Sequence, residues 1–219
     1  MRGWLISNGE CTSVTFKPAF KNCHALYGQL EGVAPRLVQV TTLHGRPYMA
    51  IEYVFGKTLR NSDVSVDQIY WSAYTLFANL QALHDREYVH TDIKPGNVVL
   101  TTWLELKLID YCGAVKFGDR APRWQVNQFA SPEFLLNQPL TAATDQYSAA
   151  RCLMESIYTK LTGVKRTPYQ ISLTPPSYPQ GCPEDIWEIL CKAGSLQISE
   201  RYSSCEEVAD ALECAVCKK

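Results

Sequence analysis

Tyr88-Val89-His90-Thr91-Asp92-Ile93-Lys94-Pro95-Gly96-Asn97-Val98-Val99-Leu100 and then Leu106-Lys107-Leu108-Ile109-Asp110-Tyr111-Cys112-Gly113 decide how this chain is read. Two carboxylates, Asp92 and Asp110, each sit at the end of an apolar run. Lys94 follows Asp92 by two residues and Asn97 follows it by five. Phosphoryl transfer needs such a set. One carboxylate accepts or steers a hydroxyl proton, and a lysine neutralises charge on the moving phosphoryl group. An asparagine and a second aspartate hold Mg²⁺ against the phosphate oxygens. The pattern is long and ordered, so chance is a poor explanation for it.

Around this stretch the composition is that of a folded chain. Its 219 residues suffice for one large domain or two small ones. The formal net charge of -1 gives no reason to expect electrostatic binding to nucleic acid or to an anionic membrane. No apolar run is long enough to span a bilayer, and the first residues lack the apolar segment of a signal peptide. The expected location is cytoplasmic or nuclear. Nine cysteines are scattered from Cys11 to Cys217, without the framework of a short secreted domain, so mostly free, reduced thiols are expected. Cys214 and Cys217 form a lone C-x-x-C with no second ligand pair for zinc, and a frayed helix end explains them better.

Alternating residues on either side of Asn8-Gly9, over 3–17, predict a hairpin. A short helix over 19–31 precedes two strands, 37–40 and 48–51, joined around Gly45-Arg46-Pro47. Apolar residues at 69, 73, 76, 77, 80 and 83 predict a helix over 67–84, with Asp67 near its start. Residues 98–100 and 106–109 read as a strand pair, and 145–160 as a buried helix. A surface connection over 163–183 leads to closing helices at 184–193 and 204–216. The fold class is α+β.

The opening stretch resembles the catalytic and metal-binding loops of the protein kinase family, H-R-D-x-K-x-x-N and then D-F-G. The resemblance extends over the whole chain and is most specific from about residue 50 onward. It implies a two-lobed kinase-like fold with a reduced β-rich N-lobe (1–53) and a complete, mostly helical C-lobe (54–219). It also implies ATP and Mg as cofactors. Asp92 and Lys94 take the catalytic places, and Asn97 and Asp110 the metal-binding ones. Val14-Thr15-Phe16-Lys17 is similar to the strand that carries the nucleotide lysine, which makes Lys17 an ATP contact. Glu52-Tyr53-Val54-Phe55-Gly56 is similar to the kinase hinge. By that likeness the backbone of Glu52 and Val54 faces adenine, Ile51 is the gatekeeper and Val99 the apolar floor. Ser131-Pro132-Glu133 resembles A-P-E, with Asp145 and Arg201 at later family positions. His90, Glu133, Asp145 and Arg201 then have structural roles, and Glu133 and Arg201 are expected to pair. Asp92-Ile93-Lys94-Pro95-Gly96-Asn97 leans toward serine/threonine kinases.

Departures from the family pattern matter as much. The phosphate-covering G-x-G-x-x-G is not found before Lys17, and no acid occupies 22–25, where a helix glutamate would pair with the strand lysine. Glu31 reads as a solvated helix-end charge. Thr91 replaces the arginine that receives an activation-segment phosphate, and residues 114–130 contain no Ser, Thr or Tyr. Receptor and acceptor are missing together, which implies a constitutive conformation. Cys112 stands inside the D-F-G-like motif, where it is expected to be open to alkylation. Val126 stands where many serine/threonine kinases carry a threonine that contacts the base aspartate. Two readings stay open: a weakly active kinase acting on a protein substrate, or a kinase-like decoy, inhibitor or scaffold that binds a partner kinase or its substrate. Small, N-terminally trimmed kinases of this kind look like those carried by some viruses.

Overall fold

A computed structural model describes all of the chain except residues 1, 8–9, 19–22, 44–45, 62, 121–125 and 218–219. For 2–18, 24, 43, 46–47 and 173 it describes the backbone alone. The Asn8-Gly9 turn, the expected start of the first helix at 19–22 and Gly45 therefore lie outside the described residues.

Strands β1 (Arg2–Ser7) and β2 (Glu10–Pro18) form the hairpin that the alternation predicts. Helix α1 (Cys23–Gln29) ends two residues before the expected boundary at 31. Leu30 and Ala34 close turns after it, and Gly32 takes a positive φ of 82°, which ends the helical path. Next come β3 (Leu37–Leu43) and β4 (Arg46–Glu52), both longer than their apolar cores suggest. The sheet order is β1-β2-β4-β3, antiparallel throughout, with a register shift between Leu37 and Gln39.

A second antiparallel sheet joins the segment after β4 to the 90–110 region. Its order is β5 (Gly56–Thr58), β7 (Val98–Thr101), β8 (Leu106–Leu108), while β6 (Tyr88–Val89) pairs with β9 (Val115–Lys116). Gly56 is required by close approach. A Cβ there would lie 2.1 Å from the Leu100 carbonyl oxygen and 2.7 Å from Val99 Cγ1.

Helix α2 (Val66–His84) starts at a capping box. Ser65 Oγ accepts from the Gln68 N–H, and Gln68 Oε1 accepts from the Ser65 N–H. Its buried face (Ile69, Ala73, Leu76, Phe77, Leu80 and Leu83) packs on α4 (Ala142–Thr162) and α7 (Cys205–Cys217), with α6 (Glu184–Ala193) beyond. Fully burying each such side chain contributes about 1.5–3 kcal/mol. Two short helices complete the set, α3 (Pro132–Leu135) and α5 (Pro168–Leu173). α5 lies within the surface connection expected over 163–183. Thr167 caps it through the Gln170 N–H, while Arg166 holds the Gln170 and Thr174 carbonyls. α4 begins three residues earlier than expected because Thr141 serves as its N-cap. None of the described helices is long and apolar enough to cross a membrane.

Glu133 and Arg201 fasten α3 to the segment before α7. Arg201 donates to both Glu133 oxygens, at 2.8 and 3.2 Å, and also to the carbonyls of Ser195 and Ala143. Both residues are buried. Burial pushes the Glu133 carboxyl up, but the Arg201 hydrogen bonds and charge, with donors from its own backbone and Ser131, outweigh it and hold the pKa below its ordinary value of 4.5. This stabilisation is present above pH 4.5 and is lost as pH falls through the lower folded pKa. Arg201→Met, which leaves Glu133 buried and unpaired, should cost about 3–5 kcal/mol at neutral pH by urea unfolding. Glu133→Gln should also destabilise the fold at pH 7, and its deficit should narrow as the pH is taken below 4.5.

Candidate active site

The 90–97 loop hangs from the core through one carboxylate. Asp145, in the first turn of α4, is fully buried. It accepts the His90 N–H at 2.7 Å, the Thr91 N–H at 3.1 Å and His84 Nε2 at 3.0 Å. Thr91 has φ 69°, a left-handed conformation that costs a non-glycine residue roughly 1–2 kcal/mol. The hydrogen bonds to Asp145 hold it there, together with Thr91 Oγ1 donating to the Gly113 carbonyl at 2.9 Å. Burial lowers the His90 pKa against the pull of Asp145, Asp92 and Asp110, which favours a neutral ring. His90 Nδ1 accepts the Asp92 N–H at 3.3 Å, so the ring proton belongs on Nε2.

Both oxygens of Asp92 are engaged. Oδ2 accepts from Lys94 Nζ at 2.6 Å and from Asn97 Nδ2 at 2.9 Å, and Oδ1 accepts from Asn127 Nδ2 at 3.0 Å. Asn97 Nδ2 also donates to the Asp92 carbonyl, which fixes the amide orientation and leaves Oδ1 as the atom able to ligate a cation. The Asn97 carbonyl accepts the Ile109 N–H at 2.9 Å, so the loop is tied to the segment that delivers Asp110. Asp110 is left-handed, at φ 72° and ψ 60°, a conformation that Asp tolerates better than most residues and that recurs at functional sites. The 3₁₀ turn Tyr111–Gly113 follows.

Tyr111 turns inward. Its N–H donates to the Tyr27 hydroxyl at 3.2 Å, and its ring meets His90 at 4.7 Å and Tyr27 at 6.2 Å, both edge-on. A buried column therefore runs from α1 through Tyr27, Tyr111 and His90 to Asp145. Burial raises the pKa of both phenols, so both stay protonated.

Among the described residues no group of three His, Cys, Asp or Glu side chains could hold a metal by itself. Asn97 and Asp110 offer an amide and a carboxylate oxygen. That donor set fits a hard cation such as Mg²⁺, which keeps waters and takes further oxygens from phosphate.

The other candidate residues fall around β4 and β7. Ile51 is buried in β4. The Glu52 N–H donates to the Arg36 carbonyl at 2.8 Å, which occupies one of its backbone groups. Val54 lies in the irregular stretch between β4 and β5, and Val99 pairs with Thr58 and packs against Gly56. Lys17 pairs with Met49 across β2 and β4, and its side chain lies outside the described residues.

Two expectations are corrected. Val126 is 61% exposed, and the contact to Asp92 comes from its neighbour Asn127. Phe129 N–H donates to Asn127 Oδ1 at 2.7 Å, which turns the amide nitrogen toward Asp92. Cys112 is not an open thiol, because it is disulfide-bonded to Cys23 at the start of α1, with Cα atoms 5.1 Å apart. Six other cysteines are free among the described residues. Glu31 lies past the end of α1 and is exposed, and α1 carries no acid in its first turn. Tyr27 and Asn127 are the site residues that sequence patterns did not single out.

Comparison with known proteins places these residues in context. Residues 34–174 match the protein kinase domain family. The chain is 28% identical over 141 residues to the probable serine/threonine-protein kinase mkcF of Dictyostelium discoideum, covering 64% of this chain and 19% of that protein. It is 24% identical over 179 residues to human mitogen-activated protein kinase 12, covering 70% and 48%. With the serine/threonine-protein kinase PksC of Streptomyces coelicolor it shares 24% identity over 188 residues, covering 75% and 34%. The chain thus spans less than half the length of each of these relatives.

When the chain, isolated without reductant, is denatured and alkylated, peptide mapping should find Cys23 and Cys112 joined to each other and unmodified, and both alkylated only after reduction. Full alkylation of both residues before reduction would contradict the bridge.

Proposed function

The chain belongs to the protein kinase family, and on that premise we propose that it transfers the γ-phosphoryl group of ATP to a serine or threonine hydroxyl of a protein. The observation that carries this reading is the Asp92 carboxylate, held on both oxygens by Lys94, Asn97 and Asn127. A carboxylate fixed in this way is pre-oriented for an incoming hydroxyl, and rigid placement is most of what this reaction asks of the protein. Asp92 steers the hydroxyl and accepts its proton. Lys94 sits within reach of that oxygen and offsets the negative charge that gathers on the transferring group. Asn97 and Asp110 are the residues that would hold Mg²⁺, which supplies charge neutralisation across the phosphates when bound. By the family likeness the backbone of Glu52 and Val54 meets the adenine edge, Ile51 and Val99 give it apolar walls, and Lys17 is the residue assigned to the phosphates. Residues 1–53 and 54–219 form the two sides of the nucleotide cleft.

The reading includes a low rate. Residues 3–17 carry no G-x-G-x-x-G, and α1 brings Tyr27 rather than an acid to the Asp110 segment. Each missing contact removes transition-state stabilisation. The same features support a second reading, in which the chain binds a partner kinase or its substrate without transferring phosphate.

Calorimetry with ATP–Mg²⁺ separates the two. Metal-dependent binding should be seen for the native chain and lost in Asp110→Asn. Asp92→Asn should keep ATP binding while phosphorylation of a protein substrate falls about 10²–10⁴-fold. Asn127→Ala, which frees one Asp92 oxygen, should lower kcat by roughly tenfold with little change in the KM for ATP. Absence of binding at millimolar ATP would overturn the transfer reading in favour of the partner-binding one.

A further inference from the structure

A cavity of about 720 Å³ opens beside the 90–97 loop, bounded by Pro95, the turn before α2 and the end of α4. Its charged lining is one-sided. Arg60, Lys160, Lys165 and Arg166 face it, and Glu155 is its one acid. Glu155 is already matched, because Arg166 Nη1 pairs with it at 3.1 Å and both side chains are nearly buried. Arg166 is further occupied by the Gln170 and Thr174 carbonyls. Among the described residues neither Arg60 nor Lys165 has a carboxylate partner, and both are exposed. Lys160 donates to the Asn61 carbonyl at 3.2 Å. Asp63 is the acid nearest to it in effect, and Asp63 is itself paired with Lys57 at 2.9 Å.

Arg60 links this basic groove to the reacting centre. Its N–H donates to the Pro95 carbonyl at 3.2 Å, and its guanidinium lies flat enough on Gly96 that a Cβ there would meet Nη2 at 3.6 Å and Cζ at 3.7 Å. Gly96 is four residues beyond Asp92. The whole chain has a net charge of -1, so this concentration of cations is local and not a reflection of composition.

We propose that this groove selects substrates bearing anionic side chains, carboxylate or phosphate, next to the acceptor hydroxyl, with Arg60 and Lys165 as the specificity-determining contacts. This rests on the transfer reading for its place in a reaction, but the binding it predicts does not depend on turnover. A fork-shaped guanidinium over the loop backbone suits carboxylate or phosphate equally, and Lys165 adds a mobile point charge at the rim.

The test uses three serine-centred peptides, flanked by glutamate, by glutamine or by phosphoserine. Binding is read by fluorescence anisotropy and phosphoryl transfer by kcat/KM. The glutamate and phosphoserine peptides should bind the native chain more tightly than the glutamine peptide, and high salt should narrow the gap. Arg60→Glu and, separately, Lys165→Glu should each weaken acidic-peptide binding by roughly five- to tenfold. The two anionic peptides distinguish carboxylate from phosphate as the preferred group. If turnover is absent but this charge-dependent binding remains, the transfer reading fails and the groove assignment stands. Equal affinity for acidic and neutral peptides, or no response to either charge reversal, would overturn the groove assignment whatever the turnover.

Discussion

Asp145 is the contact on which the rest of the site depends. A fully buried carboxylate in the first turn of α4 receives two consecutive backbone N–H groups from His90 and Thr91 and a ring N–H from His84. Buried N–H groups left without acceptors cost about 1–3 kcal/mol each, so the loop has a strong reason to adopt the one path that reaches them. That path includes a left-handed Thr91, and the turn it creates directs Asp92 away from the core toward Lys94, Asn97 and Asn127. A long, well-packed helix thus supplies the rigid support that a surface loop lacks.

From the same base the buried column rises through His90 and Tyr111 to Tyr27 on α1. α1 brings no acid to this region, yet it is coupled to the Asp110 segment twice over. The Tyr27 hydroxyl accepts the Tyr111 N–H, and the Cys23–Cys112 bridge joins the helix start to the residue after Tyr111. Among the described residues, aromatic packing, a hydrogen bond and a covalent link therefore hold α1 in position. Unlike an ion pair, none of these contacts responds to salt, and only the bridge responds to redox conditions.

The parts of this architecture that sequence made legible are those determined by neighbours along the chain. The apolar stripe from Ile69 to Leu83 specifies α2 because helical spacing is local, and the Ser65–Gln68 capping box marks its start. Asp92, Lys94 and Asn97 are readable together because they lie within one loop and contact one another. The less legible contacts are long-range. Asn127 reaches Asp92 across 35 residues, Tyr27 reaches Tyr111 across 84 and Cys23 reaches Cys112 across 89. No local pattern marks any of these pairs. In the case of Val126 and Asn127, adjacency in sequence gave the right neighbourhood, but the Asn127–Phe129 turn chose which side chain faces inward. α5 escaped notice for a related reason, since its stability comes from Arg166 and Arg151 gripping its carbonyls rather than from an apolar period.

Electrostatics gives these elements a common logic. In the proposed transfer reaction, Asp92 and Asp110 place two carboxylates where a nucleotide phosphate chain, itself anionic, would approach. Lys94 neutralises part of that charge by pairing with Asp92 at 2.6 Å, at the cost of occupying its own ammonium. Among the described residues, the groove cations without a carboxylate partner lie one step outward, on Arg60 and Lys165, while the Glu155–Arg166 pair beneath them is closed on itself and adds no net charge. Burial raises the Glu155 pKa, and Arg166 with Arg151 opposes that rise, so the pair serves as a neutral floor rather than as a competitor for the groove cations. A peptide carrying carboxylates would meet repulsion at Asp92 and attraction at Arg60. The balance favours a pose in which its anions stay in the groove and only its neutral hydroxyl reaches the paired aspartate.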